Sequence, residues 1–240
     1  MTKKLSGRIA LITGASRGIG RALARAFAAE GAHLILLART VGGLEEADDE
    51  VKAAGGTSTL VPLDLKDFDA LDRLGASIHE RWGKLDILIG NAGILGQLSP
   101  VTHIEPSDWT KLLDINLTAN WRPIRSMDPL LRASDAGRAI FLTSSVGSKP
   151  RAYWGGYAVS KAALEMLVLT YAAECANTNL RVNLVNPTAT RTRMRAAAYP
   201  GEDPENIPSP EHLGPLFINL ASPGNTLHGL RIDASAWTKG

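Results

Sequence analysis

At 240 residues, 45% hydrophobic and 21% charged, the chain is long enough to bury a substantial core and has the composition of an ordinary soluble globular protein. A scattered net charge of +2 gives no electrostatic basis for a nucleic-acid partner, and the single cysteine, Cys175, excludes an internal disulfide. No apolar run is long enough to span a membrane, no signal-length segment precedes the first strand, and the histidines at 33, 79, 103, 212 and 228 lack metal-ligand spacing. The expectation is a cytoplasmic protein with no metal site and no nucleic-acid or membrane partner.

In chain order, residues 8–13 form a short apolar run that reads as a strand, and 18–30 follow with helical periodicity through Ile19, Leu23 and Phe27. Residues 33–38 (HLILLA) read as a second strand, and 41–54 as a charged surface helix stopped by Gly55-Gly56. A third strand at 58–63, an amphipathic helix at 68–82 and a fourth strand at 86–90 continue the alternation. A long helix is expected from about 106 to 132, where Pro123 should kink or interrupt it. Strand five at 138–143, a helix at 155–177 and strand six at 180–186 come next. Residues 187–210, rich in Pro, Thr and Arg, read as a long loop or lid, before a short helix at 211–221 and a last strand at 230–233. Unbroken apolar strands alternating with helices imply one doubly wound α/β domain over 1–240, a parallel sheet with helices on both faces.

Two stretches carry chemistry. Thr13-Gly-Ala-Ser-Arg-Gly-Ile-Gly20 joins the first strand to the first helix. Glycines there let backbone approach a ligand, and the helix start aims unpaired N–H groups at an anion. A merely flexible turn is the alternative, but the strand-before, helix-after context is that of a dinucleotide site. The second stretch ends in Tyr157-x-x-x-Lys161, one turn apart on a helix, with Ser144 at the end of strand five. An ammonium at ~4 Å in an effective dielectric of ~20 is worth roughly 4 kcal/mol, which would draw the phenol, ordinarily titrating near pH ~10, toward neutral pH. A helix-surface tyrosine and a solvated lysine are the plainer reading of that pair alone.

Thr13–Gly20, Asn91-Ala-Gly93, Asn116, Ser144 and Tyr157-x-x-x-Lys161 stand in the order and spacing of the short-chain dehydrogenase/reductase family, which the chain resembles over nearly its whole length. Ser134-Asp-Ala-Gly137, Gly155-Gly-Tyr-Ala158 and residues 191–204 resemble a bacterial branch, the YciK-like oxidoreductases. The resemblance implies a Rossmann-type seven-stranded parallel sheet, a nicotinamide cofactor and a reaction interconverting a small-molecule alcohol and a carbonyl compound. It implies a homodimer or homotetramer. By position, Tyr157 would exchange the proton with substrate oxygen, and Lys161 would support the phenolate and bind nicotinamide ribose. Ser144, with Ser145 as its neighbouring alternative, would bond the substrate oxygen, and Asn116 would hold a relay water.

The cofactor set implied is Gly14, Ser16, Arg17, Gly18, Ile19, Gly20, Arg39, Asp64, Leu65, Asn91, Ala92, Gly93, Tyr157, Lys161, Pro187, Thr188 and Thr192. Asp64 would contact adenine or cap a helix, and Asn91 is at least partly structural. The second strand ends Ala38-Arg39 with no acid until Glu45, so Arg39 and Arg17 suit a 2′-phosphate, and NADP(H) is expected over NAD(H); two solvated arginines are the alternative. Thr188 replaces the family's usual glycine, and a β-branched residue disfavours positive φ, so a different backbone path is expected there. The lid arginines 191, 193 and 195 either solvate a loop or turn inward. The rival function is a non-catalytic NADP(H)-binding sensor; a sugar-nucleotide epimerase or dehydratase is disfavoured by the short C-terminal part.

Overall fold

The computed structural model describes residues 3–237. Its strands are β1 (Ile9–Thr13), β2 (His33–Ala38), β3 (Thr57–Pro62), β4 (Ile87–Gly90), β5 (Arg138–Leu142), β6 (Arg181–Asn186) and β7 (Arg231–Asp233). They form one 7-stranded sheet in the order β3-β2-β1-β4-β5-β6-β7, every pairing parallel. The helices are α1 (Gly18–Ala29), α2 (Val41–Ala53), α3 (Phe68–Trp82), α4 (Pro106–Leu113), α5 (Ala119–Ala133), α6 (Gly155–Glu174), α7 (Arg193–Ala198) and α8 (Gly214–Ala221). Each strand lies within a residue or two of its expected place.

Strand alternation divides the apolar side chains between two cores. Ala10, Ile12, Leu34 and Leu36 join Leu23 and Phe27 of α1, Leu44 of α2 and Phe217 of α8 on one face. Ile9, Leu11, Ile35 and Leu37 join Leu71 of α3, Met127 of α5 and Leu164 of α6 on the other. Each such aliphatic side chain, fully buried, stabilises the fold by roughly 1.5–3 kcal/mol before entropy is counted. Pairing of β1 with both β2 and β4 makes their junction the point where strand order reverses, and a crevice opens there at the carboxyl ends of the strands.

The expected long helix is two helices joined by a π-helical turn, Asp114–Thr118, where the Ala119 N–H reaches back to the Asp114 carbonyl. Contrary to the expected interruption, α5 runs through both Pro123 and Pro129. A proline crowds the carbonyl four residues earlier, and for Pro123 that is Ala119, where the π turn hands over to α5. The disturbance is absorbed upstream. The N-cap of α3 is Asp67, which accepts from the Ala70 N–H at 3.0 Å, so Asp64 is not that cap.

The expected loop at 187–210 is partly helical. Thr192 caps α7, accepting from the Arg195 N–H at 3.1 Å, and a single 3₁₀ turn covers Pro204–Asn206. Arg195 makes a two-point bond to Glu202 (2.5 and 2.6 Å) and lies 3.7 Å over the Tyr199 ring, while Arg191 pairs with Glu205 at 2.8 Å. Two of the three arginines, 191 and 195, therefore tie the segment to itself. Thr188 corrects another expectation: its φ is +62, so the left-handed path is kept despite the β-branch, a conformation costing about 1–3 kcal/mol.

Candidate active site

Thr13, the last residue of β1, organises the crevice. Its hydroxyl accepts the N–H groups of Asn91 and Ala92, each at 3.1 Å, and donates to the Ile89 carbonyl at 3.3 Å. Asn91 returns the bond: Nδ2 donates to the carbonyls of Thr13 (2.7 Å) and Gly14 (3.2 Å). The structural share expected for Asn91 is thus large. Gly14 has φ +66, and a Cβ there would come within 2.9 Å of Asn91 Nδ2. A Cβ on Gly20 would collide with the Gly14 carbonyl oxygen, so only glycine lets α1 start this close to the strand end. Gly20 therefore lies beneath the turn rather than on the cavity wall.

From this turn a cavity of about 740 Å³ runs across the strand ends. Gly14, Ser16, Arg17, Gly18 and Ile19 line one end, with Ala38, Arg39, Asp64 and Leu65 beside them. Asn91, Ala92 and Gly93 form the middle, and Tyr157, Lys161, Pro187 and Thr192 the far end. Among the expected residues, Gly20, Thr188, Asn116 and Ser144 do not line it. Thr188 is exposed outside the wall, its N–H held by Asn186 Oδ1 at 3.2 Å.

The near end fits a dinucleotide phosphate. The first turn of α1 has no side-chain cap and no acid, leaving its N–H groups to an anion, and α1 is long enough to carry a dipole. Arg17 and Arg39 are exposed at the cavity, and among the described residues neither has a carboxylate within salt-bridge distance. Arg21, by contrast, is spent on Glu46 (2.6 Å) and Glu50 (2.8 Å). Asp64 accepts from the Lys66 N–H at 3.0 Å, a turn that holds its carboxylate at the cavity edge.

At the far end, Tyr157 is 8% exposed, and burial pushes its phenol up to about 12; the neighbouring Ser144 hydroxyl pulls the other way, more weakly. Lys161 is pushed down to about 8 by burial, with the Glu165 carboxylate opposing. These directions correct the expected phenolate near neutral pH. The Lys161 ammonium donates to the Leu142 carbonyl at 2.9 Å and lies 5.8 Å from the Tyr157 ring centre. Burial thus favours the protonated form of Tyr157. A Cβ on Gly93 would press to 3.2 Å of Asn116 Oδ1 and meet Lys161 Nζ at an ordinary 3.6 Å.

Asn116 sits behind the wall, wholly buried in the π turn. Its Oδ1 accepts from the Ile94 N–H at 2.8 Å, and its Nδ2 donates to the Ile94 carbonyl and to Ser160 Oγ, both at 2.9 Å. The side chain ties the strand-end loop to α6 and acts on the site through Ile94. Its carbonyl accepts Asn120 Nδ2 at 2.9 Å.

Ile94, Leu95, Ile115 and Met194 make an apolar wall around the phenol, with Met194 Sδ 4.0 Å from the Tyr157 hydroxyl. Trp154 meets Tyr157 edge-on at 6.0 Å and Tyr199 of the lid at 5.8 Å. Arg151 donates to the Tyr199 hydroxyl, tying residues 187–210 to the loop before α6. Arg193 also lines the cavity. Sequence reasoning missed Thr13 as a bonding hub and missed Ile94 and Leu95, although both follow directly on the Asn91–Gly93 motif.

Comparison with known proteins points the same way. The family model described as short chain dehydrogenase matches residues 8–203. The oxidoreductase YciK of Escherichia coli K12 is 37% identical over 219 residues, covering 90% of this chain and 86% of that protein. A short-chain dehydrogenase structure from Pseudomonas syringae superposes with TM-score 0.94 at 40% identity, covering 98% of this chain and 97% of the other. One from Shigella flexneri 2a, solved with NADP, gives 0.93 at 37% identity over 98% and 100% of the two chains.

Proposed function

The chain belongs to the short-chain dehydrogenase family, and on that premise we propose that it is an NADP(H)-dependent oxidoreductase that interconverts a carbonyl compound and an alcohol, with Tyr157 as acid and base. The observation that carries the reading is the buried Tyr157 phenol, with Ser144 beside it, at the end of a cavity that begins at the glycine turn. A sensor would use the turn and leave that pair idle.

When bound, the nicotinamide supplies or accepts the hydride at substrate carbon. Tyr157 gives its proton to the carbonyl oxygen as negative charge develops there, and recovers one in the reverse direction. Ser144 donates a hydrogen bond to the same oxygen, a donor aimed at developing charge. Lys161 holds the cofactor's ribose hydroxyls and offers positive charge to the phenolate left behind. Arg17 and Arg39 take the 2′-phosphate, a preference supported by Ala38 in place of an acid and by the NADP held in the Shigella flexneri structure. The apolar wall and Met194 exclude water from the transfer and suit a small or medium-sized organic carbonyl compound.

Screening carbonyl compounds and alcohols while following nicotinamide absorbance tests the assignment; NADPH binding without turnover of any compound would favour the sensor. The active carbonyl compound then gives a pH test. Lys161 is charged below about 8 and neutral above it, whereas Tyr157 stays protonated to about 12. The value of kcat/KM for NADPH, which reports the free enzyme, is expected to be flat at lower pH and to fall as pH rises through about 8. A profile flat to pH ~10 would remove Lys161 from cofactor capture.

A further inference from the structure

Three successive residues at the end of β5 are each gripped by a different side chain. Lys161 Nζ donates to the Leu142 carbonyl at 2.9 Å, Thr143 Oγ1 donates to Glu165 Oε1 at 2.5 Å, and Arg231 Nη2 reaches the Ser144 carbonyl at 3.4 Å. Arg231 also donates through Nε to the same Glu165 oxygen at 3.1 Å. Its Nη1 bonds Asp233 Oδ1 at 3.2 Å, which Asn186 Nδ2 holds at 2.7 Å. Glu165 lies one helical turn after Lys161, with its side chain 11% exposed. A Cβ on Gly147 would come within 2.6 Å of Glu165 Oε1, so the turn after Ser144 has been left open around this carboxylate.

Neither Glu165 nor Arg231 takes part in the proton transfer described above. A carboxylate this buried is costly unless paired and hydrogen-bonded, and its partner comes from the last strand of the sheet. We propose that Glu165 and Arg231 are positioning residues: their ion pair fixes residues 143 and 144 so that the Ser144 hydroxyl and the Tyr157 phenol meet in register. This rests on the roles given to Ser144 and Tyr157. The pair grips Thr143 by its hydroxyl and Ser144 by its carbonyl, leaving the Ser144 hydroxyl to the substrate. Losing either member lets the strand end shift, and a displacement of about 1 Å at reacting groups costs up to ~100-fold in rate.

The test uses Arg231→Gln, Glu165→Gln, the double variant and Arg231→Lys, with NADPH and the carbonyl compound turned over fastest in the screen. Each single Gln variant is expected to lower kcat by about 10–100-fold and to leave the NADPH dissociation constant, read by nicotinamide fluorescence, within about threefold. The double variant should be no worse than the weaker single one, because both break one unit. Arg231→Lys, which keeps the charge beside Glu165 but cannot also span to the Ser144 carbonyl, should recover only part of the rate. Folded variants with wild-type kcat would overturn the proposal even if their melting temperature fell, since that is the mark of a purely structural pair. If Arg231→Gln does not fold, the near-isosteric Glu165→Gln, which keeps an acceptor for Thr143, decides. Tyr157→Phe runs alongside: if it retains turnover the reading of the site fails, and if it alone collapses only the positioning pair fails.

Discussion

Replacing Tyr157 with phenylalanine is expected to lower kcat by about 10²- to 10⁴-fold while the NADPH dissociation constant stays unchanged. The substitution keeps the ring, its edge contact with Trp154 and its place beside the Lys161 ammonium. It removes only the hydroxyl, whose neighbours are Ser144 and, at 4.0 Å, Met194 Sδ. The Leu142 carbonyl still holds Lys161, so the lysine keeps its position for the cofactor. What is lost is a phenol that burial keeps protonated up to about 12. Turnover measured against fluorescence titration of NADPH separates chemistry from binding. A variant turning over at near wild-type rate would mean that another group supplies the proton.

Ala38→Asp combined with Arg39→Ala is expected to shift the NADPH-to-NADH affinity ratio toward NADH by about a hundredfold or more. A hydrogen bond to a charged group contributes about 1.5–3 kcal/mol, and each ~1.4 kcal/mol is tenfold in affinity. Loss of Arg39 removes one such contact, and the new carboxylate repels the 2′-phosphate while offering an acceptor to a ribose hydroxyl. Position 38 is suited to the swap because Ala38 ends β2 against Pro62 of β3 and lines the cavity. Arg17 stays in place, so NADPH binding weakens without vanishing. Dissociation constants for both cofactors in both proteins measure the shift. An unchanged ratio would mean that Arg17 alone, or neither arginine, reads the phosphate.

The sheet was legible because each strand is an apolar run between turn residues, and its two-sided burial follows from that pattern, as in Ile9–Thr13. Thr13–Gly20, Asn91–Gly93 and the Tyr157–Lys161 pair were legible from spacing, since each needs particular residue types at fixed steps. Direction of a titration is another matter. Four-residue spacing puts a lysine on the same helix face as a tyrosine but says nothing of the Leu142 carbonyl that claims the ammonium. The π turn escaped because Asp114–Thr118 has ordinary helical composition, with no glycine or proline to mark it. Arg231 escaped for a different reason: a bond across 87 positions leaves no local pattern. Glu165, four residues after Lys161 on the same face, was the one positioning residue that helical spacing could have flagged.

The same separation along the chain sets an order of assembly in time. Thr13, Gly14 and Asn91, which bond one another to shape the phosphate cradle, are all present once Gly93 has been synthesised. The Ser144 carbonyl must wait for Arg231, 87 residues after it. At roughly 5–20 residues per second on the ribosome, that interval is on the order of 4–17 seconds. A growing chain thus acquires the elements for gripping a nucleotide well before it can hold the strand end that carries Ser144 in place.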